Sequence, residues 1–507
     1  MKKIFLISTL ALGLATTSCD SYLDVNESPN SPKESNMTAG IMMPAAEMNL
    51  VASYGDFMRI TGGYFAQYYA QTYGTSNYIS YSQFNMSATR SSSDYSQLTA
   101  RVIKNLEYVL KFSRESKEWG TYLAATTLKA FTYQILVDCY GEVPFTEAMQ
   151  DLNNMSPHYD DGQLIYAAMI DSIDAALSRT HVGEKVCNNI LYPSEDPSDL
   201  TVTALVDEWI PFANAVKLKM LMRESGVVDV QAKLDALVSE GNFPTSDIAY
   251  SGIWKNEAGQ MSPFYAEEFS SAWGSNQQNV VANVAIINTM QQAGYTDPRL
   301  PKFFRQNGNK EFVGGLSGTN FSTSNAYKAS YWCRPVASFD MPVYIITVAE
   351  IEFFLSEYYA KKGNATEAAA HYAAAVEASF ATAGVTGAAE NVAKFPYDQD
   401  NYKQVLGIAK WVSLAGVNTF ESWCELRRLR YPAFGTVKGS DMYDLQTDAS
   451  FNTDDYVPGT LYTPIQVFGE VGDGKLLERW PYAESSSARN GNSPSFPGYT
   501  VPVFWAK

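Results

Sequence analysis

The chain is 507 residues long, carries a formal charge of −17, and contains 33 tyrosines but only three histidines. That length fits one large domain or two or three smaller ones. The acidic balance argues against a nucleic-acid partner, because phosphate binding draws on clustered Lys and Arg.

The N-terminus reads as an address. Lys2-Lys3 and the apolar run Ile4 to Leu14 form the two opening parts of a signal peptide, too short to cross a bilayer as a helix. Thr16-Thr17-Ser18-Cys19 has the form of a bacterial lipobox, with Thr16 where Leu is commoner. Cleavage is expected before Cys19, which then carries the lipid, and stable anchoring takes more than one acyl chain. The expected organisation is a signal peptide over 1–18, a polar tether over 19–40 and a single body over 41–507. No later stretch offers eighteen uncharged apolar residues, so the body is expected to be tethered rather than membrane-spanning.

Ile41 to Phe65 is expected to be helical. Tyr64 to Phe84 then mixes Tyr, Gln, Ser and Asn, with a loop from Tyr73. Leu98, Val102, Leu106, Val109 and Leu110 line one helical face, and Tyr122, Ala125, Leu128, Phe131, Ile135 and Leu136 line the next. Gly141 and Pro144 end that pair. Gln163 to Ser178 and Trp209 to Arg223 make another pair, and Val405 to Leu414 with Phe420 to Leu429 a later one.

Thr347 to Phe380 is the most telling stretch. It predicts two antiparallel helices turned at Lys362-Gly363-Asn364. Leu355, Tyr359, Ala368, Tyr372 and Ala375 fall at the spacing of the 34-residue tetratricopeptide unit. Ser356, Glu352 and Phe380 depart from it, standing where the repeat prefers Gly, Trp and Pro. One such unit cannot bury its own apolar face, so the other pairs are expected to stack with it. The fold class is therefore all-α: four tetratricopeptide-like helix pairs forming a scaffold, with a large loop-rich face.

That face is expected from an insert over about 242–340, rich in Gly, Ser, Asn and aromatics and interrupted by one helix from about Val280 to Ala293. Long irregular regions in compact proteins are often functional. Aromatic rings suit the apolar face of a sugar, and amides, acids and Arg suit its hydroxyl rim. On those grounds the candidate ligand residues are Trp273 with Asn276, then Tyr327, Tyr331 and Trp332 with Arg334, and Tyr73, Tyr78 and Tyr81 from the earlier loop. Trp273 and Trp332 either meet ligand or plug gaps beneath long loops. For the three tyrosines, core and ligand roles stand equally open.

Five cysteines occur without a C-x-x-C pair, so zinc and thioredoxin-like readings have no support. Cys139, Cys187, Cys333 and Cys424 are expected as buried or free thiols. Asp441, Asp444, Asp448, Asp454 and Asp455 do not follow a calcium-loop pattern and read as a solvated loop, so neither metal nor cofactor is expected.

Several stretches together resemble the SusD/RagB family of nutrient-binding outer-membrane lipoproteins, in its SusD-like branch. They are Cys19-Asp20 with Leu23-Asp24-Val25-Asn26 and Pro29-Asn30, the segment from Tyr140 to Ala148, and Asp297-Pro298-Arg299-Leu300. Further on come the helix from Val348 to Gly363, the stretch from Lys410 to Pro432, and Arg479-Trp480-Pro481-Tyr482 with Asn490. The resemblance implies a surface-exposed, lipid-anchored protein of the outer membrane. It also implies a SusC-like TonB-dependent transporter as partner, to which oligomeric ligand is handed, usually a glycan and sometimes a peptide. Ligand residues differ between members and do not carry over by motif. Arg299 and Arg479 are expected to bond backbone or carboxylate groups, and Arg427 and Arg428 to pair with Glu421 or Glu425.

No nucleophile elbow, H-E-x-x-H helix, phosphate loop or dinucleotide turn is present, and no enzyme activity is expected. Two rivals remain in view, a two-carboxylate glycosidase, which needs no local motif, and a structural adhesion protein. Glycan is preferred over peptide as ligand.

Overall fold

The computed structural model describes residues 37–72, 74–150, 153–193, 205–270, 279–319, 331–443, 452–454 and 456–507. Helix α1 (Ala39–Ser53) passes through a π-helical turn, Tyr54–Met58, into α2 (Arg59–Phe65). A second π-helical stretch, Gln97–Ile103, leads into α3 (Lys104–Ser116), which reverses at left-handed Lys117 into α4 (Trp119–Tyr140). Helices α5 (Gly162–Leu177) and α6 (Trp209–Glu224) form the next pair. After the insert, with its short helix α7 (Val284–Met290), come α8 (Val348–Lys361) with α9 (Ala365–Thr382), then α10 (Tyr402–Leu414) with α11 (Thr419–Leu429). The architecture is all-α and tetratricopeptide-like.

The α8–α9 unit shows why its sequence folds this way. Thr347 and Glu350 close a capping box, the Glu350 N–H donating to Thr347 Oγ1 at 3.2 Å and the Thr347 N–H to Glu350 Oε2 at 3.1 Å. Gly363 takes φ 72° at the turn. Ala368 and Ala375 are fully buried and let the helices approach closely. The departures from the repeat pattern have their own contacts. Ser356 donates to the Ala368 carbonyl at 2.7 Å across the pair, and Glu352 meets His371 at 2.6 Å.

The pairs are joined through a buried ion network. Lys219 on α6 lies 3.2 Å from Glu350 on α8 and 3.0 Å from Glu421 on α11. Arg223 pairs with Asp138 on α4 at 2.7 Å and also with Glu421. Lys410 on α10 meets Glu425 at 3.0 Å, and Arg428 meets Glu357 on α8 at 2.6 Å. Burial works against each charge. It would strip the Lys219 proton, yet Glu350 and Glu421 hold that pKa above the usual lysine range. Burial likewise opposes the Glu357 carboxylate, yet Arg428 and Lys361 bring its pKa down to about 2.

The expected arginine roles are largely seen. Arg299 forks onto Asp297, and Arg479 donates to the Val501 and Pro502 carbonyls, each at 2.8 Å. Arg428 pairs with Glu425 at 2.7 Å. Arg427 does not pair with either acid; it donates to the backbone carbonyls of Asp138 and Glu478, each at 2.7 Å. Cys139, Cys187, Cys333 and Cys424 are free thiols.

The described strands pair two by two, and two of the ladders matter here. Strand β1 (Tyr69–Gln71) pairs antiparallel with β3 (Val280–Ala282), Gln71 opposite Val280, while β2 (Ile248–Tyr250) pairs antiparallel with β4 (Val343–Ile346). The helix expected over Val280 to Ala293 is thus divided. Valines 280 and 281 join the ladder, and Asn283 opens the shorter α7 by accepting from the Ala285 N–H at 3.0 Å. A tight hairpin of Gln291–Gln292 with Tyr295–Thr296 follows. Among the described residues no helix is long and apolar enough to cross a membrane.

Candidate functional site

The β1–β3 ladder gathers stretches that are far apart in sequence. Its register continues one step beyond the strands, where the Thr72 N–H donates to the Asn279 carbonyl at 2.8 Å. From that end one segment leaves towards Tyr78 and another joins Ser270 to Asn279. The Gln71 side chain braces both roots. It accepts from the Tyr78 N–H at 2.8 Å and donates to the Asn279 carbonyl at 3.2 Å. On the other edge of β3, the Ala282 N–H donates to the Cys333 carbonyl at 2.8 Å, which fixes the segment from Tyr331 to Arg334.

Tyr73, Trp273, Asn276, Tyr327 and Cys19, the expected lipid site, lie outside the described residues; Thr72 and Asn279, which flank the segments of the first three, meet at this ladder. Tyr78 is half-buried and stacks on Tyr81, with ring centroids 5.7 Å apart and 17° between planes. Arg90 covers the other side of Tyr81 at 5.1 Å. Tyr265 and Phe269, both half-buried, stack at 6.2 Å shortly before Trp273 in the sequence.

Two of the rings whose role the sequence left open between core and ligand are interior. Tyr81 is 4% exposed and Trp332 2% exposed. Trp332 turns inward because Cys333 is locked on both sides, its carbonyl to Ala282 and its N–H to Val313 at 2.9 Å. Tyr331, edge-on to Trp332 at 4.7 Å, stays partly open and lines a cleft of about 640 Å³ with Asn288, Gln291 and Gln292.

The acids beneath the rings gave no signal in the sequence, being four among 54 acidic residues. Glu268 accepts from the Asn279 N–H at 2.9 Å, and Tyr78 reaches Glu267 at 3.5 Å. Burial raises the Glu268 pKa, and it raises Asp56 well above the usual aspartate range, with Glu267, Asp94 and Glu268 adding to the effect. Burial pushes Asp94 up to about 6 although the Ser53 hydroxyl donates to it at 2.6 Å. Arg334 is also held below its usual pKa by burial, which Glu268 offsets in part. Tyrosine hydroxyls and amides thus lie over buried acids, a mixture that can both donate and accept hydrogen bonds. Among the described residues no cluster of His, Cys, Asp and Glu has the arrangement of a metal site.

A family model described as "Starch-binding associating with outer membrane" matches residues 29–448. The chain belongs to the SusD-like family. Solved structures carry the same fold. A SusD homologue from Bacteroides uniformis is 20% identical, covering 91% of this chain and 98% of its own, with a TM-score of 0.69. A chitin-binding protein is 17% identical, covering 93% and 100%, with a TM-score of 0.71. A SusD/RagB family protein from Bacteroides thetaiotaomicron is 17% identical, covering 93% and 99%, with a TM-score of 0.69. No curated protein gives a significant match. The SusD-like proteins are binding proteins of the outer membrane, and the solved structures share this chain's fold.

Proposed function

We propose that this SusD-like protein is lipid-anchored through Cys19 on the cell surface, captures an oligosaccharide and passes it to a SusC-like TonB-dependent transporter. The reading assigns it no reaction. The observation that carries it is that Tyr78, Cys333 between Tyr331 and Arg334, and Thr72 and Asn279, which flank the segments bearing Tyr73, Trp273 and Asn276, are all hydrogen-bonded at the β1–β3 ladder. Rings set among amides and acids match a sugar's two kinds of surface. Tyr81 and Trp332 support the platform from below. Weak single contacts suffice for such a carrier, because an oligomeric ligand rebinds and the transporter removes what is delivered.

The test is calorimetry on the chain from Asp20 onward against a panel of oligosaccharides and a panel of short peptides, with product analysis. Binding of one glycan class without product is the expected result. Tyr78→Ala and Trp273→Ala should each weaken it about tenfold, the usual loss for a buried aromatic anchor. Binding of peptides alone would keep the fold and overturn the glycan assignment. Oligosaccharide cleavage would overturn the carrier reading. Co-purification with an outer-membrane barrel tests the partner.

A further inference from the structure

A second cleft lies away from the ladder, between α9, α10 and the hairpin that follows α7. Its volume is about 370 Å³, within the ~300–1,000 Å³ of small-ligand pockets. Its floor is aliphatic, from Val376 on α9 and Val405, Ile408 and Val412 on α10. Tyr295 and Phe395 stand edge to face beside it, centroids 5.7 Å apart. Gln292 and Gln404 bring amides to its rim.

The charges deep in the cleft are already satisfied. Arg299 forks onto Asp297, and Asn391 donates to Asp297 at 3.2 Å and to the Tyr295 hydroxyl at 2.8 Å. The Tyr372 hydroxyl donates to the Phe395 carbonyl at 2.6 Å. Exposed Gln404 makes no side-chain hydrogen bond to a described residue, so its amide is open to a ligand. Gln292 and Pro458 also line the larger cleft that holds Tyr331, so the two clefts adjoin.

We propose that this cleft is a second saccharide subsite, taking one N-acetylated sugar ring of a chain that runs over Gln292 and Pro458 towards Tyr331. The proposal rests on the glycan reading above. The floor decides the class. A ring with hydroxyls all round would press some of them onto Val405, Ile408 and Val412, where they lose water and gain no partner. An acetamido group instead offers a methyl to that floor and an amide to Gln404 at the rim. Tyr295 and Phe395 supply ring surface for the apolar C–H face. No acid in the cleft is left unpaired to demand a cationic ligand.

The experiment uses the chain from Asp20 onward with an N-acetylglucosamine tetramer and its fully de-N-acetylated counterpart. Affinity is read by calorimetry, and contact by saturation transfer to the acetyl methyl protons. The wild type should bind the acetylated probe more tightly and saturate its methyls. Phe395→Ala, which removes a wall, and Ala409→Phe, which fills the cleft from a partly exposed position on α10, should each weaken that binding about tenfold and remove the methyl signal. Gln404→Ala, at an exposed position, serves in place of Phe395→Ala if the latter lowers the melting temperature. Tyr78→Ala should leave the methyl signal in place. If binding and methyl saturation survive the cleft variants but are lost in Tyr78→Ala, the cleft proposal falls and the ladder site stands. If the wild type binds no glycan, both fall.

Discussion

A single buried carboxyl sets a pH dependence. Glu47 on α1 accepts from the Ile190 and Leu191 N–H groups at 2.7 and 3.0 Å and from Tyr250 at 3.3 Å, and it ties α1 to the 187–192 loop and β2. Burial outweighs these bonds and pushes its pKa from 4.5 to about 7. Between those values the folded chain keeps a proton that the unfolded chain has released. The associated stability is therefore complete below the lower value and is lost as pH rises through the upper one. Glu47→Gln should flatten that loss, by a difference on the order of 3 kcal/mol between about pH 4.5 and pH 8. Thermal unfolding of both proteins across that range measures it, and parallel profiles would mean that the carboxyl stays charged throughout. Residue-scale features of this kind were hidden in the sequence. Glu47 has no neighbour in sequence that marks it, because Ile190, Leu191 and Tyr250 lie far along the chain, and nothing local shows that Gln71 and Glu268 will meet at Asn279. Trp332 stayed open between ligand contact and gap-filling for the same reason, since a loop-like composition around a tryptophan does not show that the next residue is locked into a ladder.

Individual elements were more readable. Helices α4, α8 and α11 announce themselves through apolar periodicity and capping residues, both local properties. The two π-helical stretches do not, since one extra residue in a turn barely disturbs the pattern. Strand β3 was absorbed into a helix because three apolar residues before Asn283 fit either period. Contact between elements also explains glycines that periodicity leaves unexplained. A Cβ on Gly62 in α2 would lie 2.5 Å from the backbone of Phe420 in α11. Gly62→Ala should therefore push the two helices apart and cost about 1–3 kcal/mol, the usual range for overpacking. A Cβ on Gly226 would meet nothing within 4 Å, so Gly226→Ala should be neutral or slightly stabilising. Melting temperatures of the two variants make the comparison, and equal values would refute the tight α2–α11 approach.

Across the whole molecule, four helix pairs share one charge network, and Glu421 is its hinge, facing both Lys219 and Arg223. Glu421→Ala would leave two buried cations without that partner and should cost about 3–5 kcal/mol, as broken buried pairs do. A chemical-denaturation midpoint equal to wild type would show that the network carries no such coupling. The number and kind of pairs were evident from sequence, whereas their union through charge was not, because Lys219, Glu350 and Glu421 come from three distant helices. The β1–β3 ladder has a different consequence. Each strand spends only three residues on pairing, yet the ladder holds Asn279, and Glu268, accepting from the Asn279 N–H at 2.9 Å, brings the other end of the 270–279 segment to it. With ends pinned, changing the length of a loop costs little, since closure entropy grows slowly with length. The ladder is in this sense a socket. The inserted segment can change in length while the helices behind it go on folding as before.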